Sequence, residues 1–366
     1  MVRRIDVTGA GGVRLAAWEF ADPPKPKADP SRTGLPRTGL PRIAPPRSEI
    51  GSGSGTGSGA GTETAAGVGA GTGNAVGIGA GTETAAGTAA GTAAETPAGI
   101  GIGAGPEDVP RAPGVLLLHG LMGRASHWAS TARWLSERHR AVALDQRGHG
   151  QSDKPPEAAY TREAYVEDAE AALEQLGLAP AVLIGHAMGA LTAWQLAAKR
   201  PDLVCGLIIC DMRASALGAA SQREWEDWFK AWPAPFATLA DVRKWFGEDD
   251  PWVERPNPSR GEFYAEVMHE SGDGWRPVFE PAQMLKSRQT WVYDAHWEEL
   301  AQVRCPALVV RGLDGELGRA ESQEMVRVLP NGQYAEVADA GHLVHYDQPD
   351  AWRGAIEPFL DGVLTG

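Results

Sequence analysis

Leu183-Ile184-Gly185-His186-Ala187-Met188-Gly189-Ala190 is the stretch whose reading decides the fold. The run Ala181-Val182-Leu183-Ile184 is of buried-strand type, and Ala190 to Lys199 reads as a helix. Between them Gly185 and Gly189 permit the close backbone approach of a sharp strand-to-helix turn. This is the context of a nucleophile elbow, whose G-x-S-x-G pattern raises a serine oxygen above the end of a sheet. Here the central residue is Ala187. A methyl group can neither attack a carbonyl nor form an acyl-enzyme.

Apolar runs of the same kind flank the elbow on both sides. Val115-Leu116-Leu117-Leu118 and Ala141-Val142-Ala143-Leu144 precede it, separated from it by a helical pattern over about 161–177. Gly206 to Cys210, Pro306 to Val310 and Gln333 to Val337 follow it. Apolar strands alternating with helices predict an α/β fold with a mostly parallel sheet covered on both faces. Two short alternating runs, Ile5 to Val7 and Val13 to Trp18, flank Gly9-Ala10-Gly11-Gly12 and predict a hairpin.

Two regions break this alternation. Residues 21–108 are first proline- and charge-rich, with Thr-Gly-Leu-Pro-Arg at 33–37 and again at 38–42, and then glycine-rich, with GAGTETAAG at 59–67 and 79–87. Long apolar side chains are nearly missing, so the composition predicts a disordered insertion between core strands. Loop-closure entropy grows only logarithmically, and a fold tolerates such a length. Residues 212–300 hold Trp225, Trp228, Trp232, Trp245, Trp252, Trp275, Trp291 and Trp297. They predict a helical cap over an aromatic pocket, with His186, Trp225, Trp228 and Trp232 as candidate pocket residues. The expected organisation is core strands at 1–20, the insertion at 21–108, core at 109–211, cap at 212–300 and core again at 301–366.

Three motifs complete the chemistry. His119-Gly120-Leu121-Met122-Gly123 follows a strand, and the N–H groups of Leu121 and Met188 are candidates for an oxyanion hole. In Asp145-Gln146-Arg147-Gly148-His149-Gly150, Asp145 and Arg147 are expected to pair and hold their loop, with His149 in the same structural duty. Ala340-Gly341-His342 follows a late strand and offers His342 as the base, with His345 as its rival. The acid that orients His342 is Asp211, at the tip of the strand after the elbow, or Asp314, after the strand ending at Val310. Glu316 is a third candidate.

In order, the HG loop, D-x-R-G-H-G, G-H-x-x-G elbow, cap and late Gly-His closely resemble the α/β-hydrolase superfamily. The likeness is greatest to lid-bearing bacterial esterases, lactonases and C–C or epoxide hydrolases. It covers residues 1–20 and about 110–366. Many members place the acid three residues after the glycine of the loop, which here is Gly315, one residue beyond Asp314. Others use the aspartate that ends the strand after the elbow, which matches Asp211 and places it first. The resemblance implies an ester, lactone or thioester of a bulky apolar small molecule as substrate. Ala187 leaves three readings. Alanine replaces a serine by engineering; or it is natural, and a His342–acid pair drives non-covalent hydrolysis, lyase or isomerase chemistry; or the protein binds a small molecule without turning it over.

A formal net charge of -13 and a pI near 5.2 argue against nucleic acid or anionic membrane as partners. Cys205, Cys210 and Cys305 lack metal-ligand spacing and are expected as buried thiols in a reducing compartment. The stretch MVRRIDVTGAGGVRL lacks the apolar segment of a secretory signal, and no run reaches a transmembrane length. The expectation is a cytoplasmic protein with no cofactor: no dinucleotide fingerprint or phosphate loop is written in the chain.

Overall fold

A computed structural model describes residues 2–20 and 113–364; the expected insertion at 21–108 lies outside the described residues. The apolar runs form strands buried at every position in β3 (Gly114–Leu118), β4 (Ala141–Asp145) and β5 (Ala181–His186). Before them, β1 (Val2–Thr8) and β2 (Arg14–Phe20) form an antiparallel hairpin. After the elbow come β6 (Val204–Cys210) and, beyond the cap, β9 (Ala307–Gly312) and β10 (Gly332–Val337). The eight core strands lie in the order β1-β2-β4-β3-β5-β6-β9-β10. Only β2 runs against its neighbours, β1 and β4; all other pairings are parallel.

Alternation along each strand divides the core in two. Leu116, Leu118, Leu183, Leu207 and Ile209 join one cluster with α2 (Arg162–Leu176) and α3 (Met188–Lys199). Val115, Leu117, Val182, Ile184 and Ile208 join the other with α1 (Ala129–Leu135) and α11 (Pro349–Leu364). The helix α2 starts where Thr161 Oγ1 accepts from the Ala164 N–H at 3.1 Å, a side-chain cap for an otherwise unpaired donor.

Between Asp211 and Leu300 the chain builds a cap from α4 (Gly218–Ala231), α5 (Leu239–Lys244), α6 (Pro258–Glu266), α7 (Pro281–Gln289) and α8 (Trp297–Ala301). It is not helical throughout. A two-stranded hairpin, β7 (Met268–Ser271) and β8 (Gly274–Pro277), sits within it. Trp228 stacks on Trp252 with ring centroids 4.4 Å apart, Phe246 stacks on Tyr264 at 4.1 Å, and Trp232 meets Phe246 edge-on. Of these rings, Trp228, Trp232, Phe246 and Tyr264 belong to the same apolar cluster as Leu183 and Met188 of the core. Two further helices, α9 (Arg319–Val328) and α10 (Val344–Asp347), complete the core. Among the described residues no helix is long and apolar enough to cross a membrane.

The sheet order places the site. β3 leads outward to β4 on one side, and β5 leads to β6 on the other. The loops after the adjacent strands β3 and β5 therefore part at a topological switch point, where open parallel sheets form a crevice.

Candidate active site

Ala187 forms the tip between β5 and α3 at φ +46°, ψ -122°. A non-glycine residue held there is strained, typically by about 1–3 kcal/mol, and persists only where its surroundings over-determine it. They do so here. The Ala187 N–H donates to the Cys210 carbonyl at 2.9 Å, and the Ala190 N–H donates to the Ala187 carbonyl at 2.8 Å. A Cβ at Gly185 would lie 2.4 Å from Ala190 Cα, and one at Gly189 would lie 2.3 Å from the Leu118 carbonyl oxygen. Both glycines are required by close backbone packing.

The loop after β3 is braced by two buried, neutral histidines. His119 Nε2 accepts from the Gln146 N–H at 3.0 Å, so Nδ1 carries the proton and donates to the Gly120 carbonyl at 2.7 Å. His149 Nε2 accepts from the Met122 N–H at 3.1 Å, and its Nδ1 donates to the Arg147 carbonyl. Burial pulls His119 down to about 4 and His149 to about 3. The Met122 amide is thus engaged, while that of Leu121 has no hydrogen-bond partner among the described residues. Met188 opens α3, so its N–H has no partner within the helix. Leu121 and Met188 both line one cavity with Ala187 and His342.

His342 Nδ1 lies 2.8 Å from Asp211 Oδ2. Asp211 follows β6 at φ +45°, fully buried, and its carboxylate also accepts from the N–H groups of Glu316 at 2.9 Å and Leu317 at 3.3 Å. Asp314 is placed differently: its side chain is 57% exposed and pairs with Arg255 at 3.2 Å. Glu316 Oε1 stands 3.9 Å from His342 Nδ1. Burial opposes charge on His342, but Glu316, Asp211 and Asp347 outweigh it and raise the imidazole to about 9. With Nδ1 facing Asp211, Nε2 has no hydrogen-bond partner among the described residues.

His186 lines the cavity and is buried, with Nε2 donating to the His342 carbonyl at 2.9 Å. Burial, then the charges of His342 and His345, hold it well below the ordinary imidazole range. His345 does not line the cavity. It is stacked on Trp128 at 3.8 Å with neither ring nitrogen hydrogen-bonded, and burial pulls it to about 3.

The cavity encloses about 300 Å³. Trp225 lines it, together with Trp252 and Trp291; Trp228 and Trp232 do not. Both of those are turned into the aromatic centre of the cap, where Trp228 Nε1 donates to Asp250 at 3.0 Å. The wall is also more polar than an aromatic pocket implies, because Arg213, Arg260 and Arg288 reach it. The expected Asp145–Arg147 pair is not formed. Arg147 makes a two-pronged buried ion pair with Asp168 of α2, each prong 2.7 Å, whereas Asp145 accepts from Trp18 Nε1 and the amides of Ala125 and Gln151. Residues two apart do not share a side of this turn, and the charge finds its partner on the neighbouring helix. Cys210 is buried and Cys205 and Cys305 are half-buried, all as free thiols. Among the described residues no group of three or more His, Cys, Asp or Glu side chains is placed to hold a metal ion.

A family model described as the alpha/beta hydrolase fold matches residues 113–349. The sn-1-specific diacylglycerol lipase ABHD11 of Mus musculus is 30% identical over 257 residues, covering 68% of this chain and 81% of the mouse protein. The 2-(acetamidomethylene)succinate hydrolase of Mesorhizobium japonicum is 29% identical over 256 residues, covering 68% of this chain and 88% of its own. Among solved structures, E-2-(acetamidomethylene)succinate hydrolase superposes with a TM-score of 0.61 at 27% identity, covering 68% of this chain and 91% of that one. With its strand order, elbow and matched residues all in agreement, the chain belongs to the alpha/beta hydrolase fold family.

Proposed function

We propose that this cavity hydrolyses a small-molecule ester, lactone or thioester, with His342 as the proton-transfer group and Asp211 as the acid that orients it. The observation that carries the reading is the His342–Asp211 hydrogen bond of 2.8 Å, which engages Nδ1 of a histidine that lines one cavity with Leu121, Ala187 and Met188. Neutral His342 takes a proton from water as the water oxygen adds to the substrate carbonyl. The two amides receive the resulting oxyanion. Collapse of the adduct breaks the bond to the leaving alkoxide or thiolate, which takes the proton back from His342, and the acyl part departs as the acid. The relatives named above are a lipase and a hydrolase, which supports chemistry at a carbonyl carbon.

A second reading rests on Ala187 itself. Its φ of +46° is the strained elbow that aims a side chain at the reacting carbon, and a serine there would make the route covalent, with an acyl-enzyme between two half-reactions. A panel of short-chain esters, thioesters and lactones, assayed with the chain as written and with Ala187→Ser and His342→Ala, tests both. Turnover by the Ala187 chain that disappears in His342→Ala supports water attack. Turnover only in Ala187→Ser, with an acyl group on residue 187 by intact mass, supports the covalent route. Equal turnover with and without His342 overturns both, and saturable binding with no turnover by any variant marks a binding protein.

A further inference from the structure

Among the described residues, one cation that lines the cavity has no counter-ion. Arg288 on α7 is 1% exposed and lines the same cavity as Ala187 and His342. Its Nη1 donates to Gln222 Oε1 at 3.0 Å and its Nη2 to Ser221 Oγ at 2.7 Å, both neutral acceptors. Its Nε is buried with no partner. The guanidinium lies 4.8 Å from the ring centroid of Trp225 and 5.3 Å from that of Trp291. The other two arginines of the wall are neutralised: Arg213 by Glu321 at 3.4 Å, and Arg260 by Asp250 at 2.5 Å. Among the described residues no carboxylate comes within ion-pair distance of Arg288. Burial lowers it to about 10, against the longer-range pull of Glu316, Tyr293 and Glu224, and it stays cationic at neutral pH.

A buried charge without a partner is unfavourable, and a planar guanidinium with an unused N–H matches a carboxylate better than any neutral group. The aromatic faces of Trp225 and Trp291 hold the plane of the fork and provide apolar surface beside it. The carboxylates of the cavity, Asp211, Asp314, Glu316 and Asp347, come from core elements around His342, while Arg288 comes from the cap. An anion is therefore repelled at the reacting end and attracted at the cap end. One uncompensated cation fits a monoanion.

We infer that Arg288 is a carboxylate-binding subsite, and that the substrate is an acyl compound with a carboxylate on the part lying under the cap. The word acyl rests on the hydrolytic reading above; the carboxylate does not. The test is binding of hexanoate and of hexanamide to the full chain, followed by tryptophan fluorescence and calorimetry. Neither probe carries an ester, so a chain that hydrolyses nothing still reports on the subsite. Expected is a preference of tenfold or more for hexanoate, lost in Arg288→Met and reduced but still present in Arg288→Lys, with hexanamide binding alike in all three. Circular dichroism establishes that each variant is folded, and if Arg288→Met is not, the graded loss in Arg288→Lys decides. Equal affinity for the two probes, or an undiminished preference in the folded variants, overturns the subsite. A chain that hydrolyses neutral esters without preferring hexanoate overturns the subsite alone and leaves the hydrolytic reading intact.

Discussion

Lowering the pH from 7.5 to 5.5 will remove about 6 kcal/mol of this protein's stability, because the fold buries histidines in their neutral form. His119, His127, His149, His186 and His345 are each at most 3% exposed. Burial is the first cause holding each below the ordinary range, to about 4 for His119, about 3 for His149 and His345, and well below it for His127 and His186. In the unfolded chain all five titrate near 6.5. Between those values the unfolded state binds more protons than the folded one, so stability falls with pH. At pH 5.5 each unfolded imidazole gains slightly over 1 kcal/mol from protonation, and at pH 7.5 almost nothing; the five amount to about 7 kcal/mol. His342 acts in the opposite sense. Its folded value is raised to about 9, so its contribution is fully present below about 6.5 and lost as the pH rises through 9. Over the same window it offsets about 1 kcal/mol.

The loss is comparable to the whole stability of an ordinary domain, about 5–15 kcal/mol. Urea unfolding followed by circular dichroism at the two pH values measures it directly. His345→Phe isolates one contribution, since that ring is stacked on Trp128 and neither nitrogen has a partner to lose. The variant is expected to be no less stable at pH 7.5 and to show a pH dependence smaller by about 1 kcal/mol. Equal stability at pH 7.5 and 5.5, or an unchanged dependence in a folded His345→Phe, refutes the reasoning.

Two further outcomes follow from the site and its supports. Asp211→Asn keeps a residue type that tolerates φ +45° but removes the charge beside His342, so the imidazole midpoint, read by NMR, is expected to fall from about 9 by about one pH unit or more. Asp314→Asn, exposed and paired with Arg255, is expected to move it little. Where water attack operates, kcat/KM rises with pH towards about 9 as neutral His342 forms, and Asp211→Asn shifts that limb acidward; a profile flat from pH 6 to 9 contradicts the base role. Asp168→Asn leaves Arg147 buried without a counter-charge and is expected to lower stability by about 3–5 kcal/mol, read as a fall in Tm; a change under about 1 kcal/mol contradicts a buried pair.

Much of the sheet is legible in the sequence because strands buried on both faces are continuous apolar runs, and β3, β4 and β5 are such runs. The hairpin β7–β8 is not legible, since four-residue strands carry no periodicity that separates them from loop. Asp211 and Asp314 both follow strands, and nothing local to either separates them. What separates them is the sheet order, which sets β6 beside β5, and the positive φ that turns the Asp211 carboxylate towards His342. Along α4 and its C-cap, Trp225, Trp228 and Trp232 recur at helical spacing, but spacing cannot tell a ring facing the cavity from one facing the rest of the cap. Arg288 lies in the polar stretch Leu285-Lys286-Ser287-Arg288-Gln289; Trp291 follows three residues on, but Ser221, Gln222 and Trp225, which complete its setting, come from the distant α4.

An alanine at position 187 has a limited structural consequence. The elbow is held by contacts that do not involve a side chain at 187: the amide bond to Cys210, the helix bond from Ala190, and the close packing of Gly185 and Gly189 against neighbouring backbone. A serine hydroxyl would add nothing to any of them. His342 is likewise fixed from behind, by Asp211 on its ring and His186 on its carbonyl, and not by a partner at 187. An alanine at 187 is therefore compatible with the proposed proton-transfer pair and oxyanion amides, and the backbone at φ +46° is held around a methyl group. That combination makes Ala187→Ser the most informative single substitution in the chain. It adds one oxygen on a backbone that does not need to move, so any gain in acyl transfer measures what a hydroxyl there adds to the proposed site.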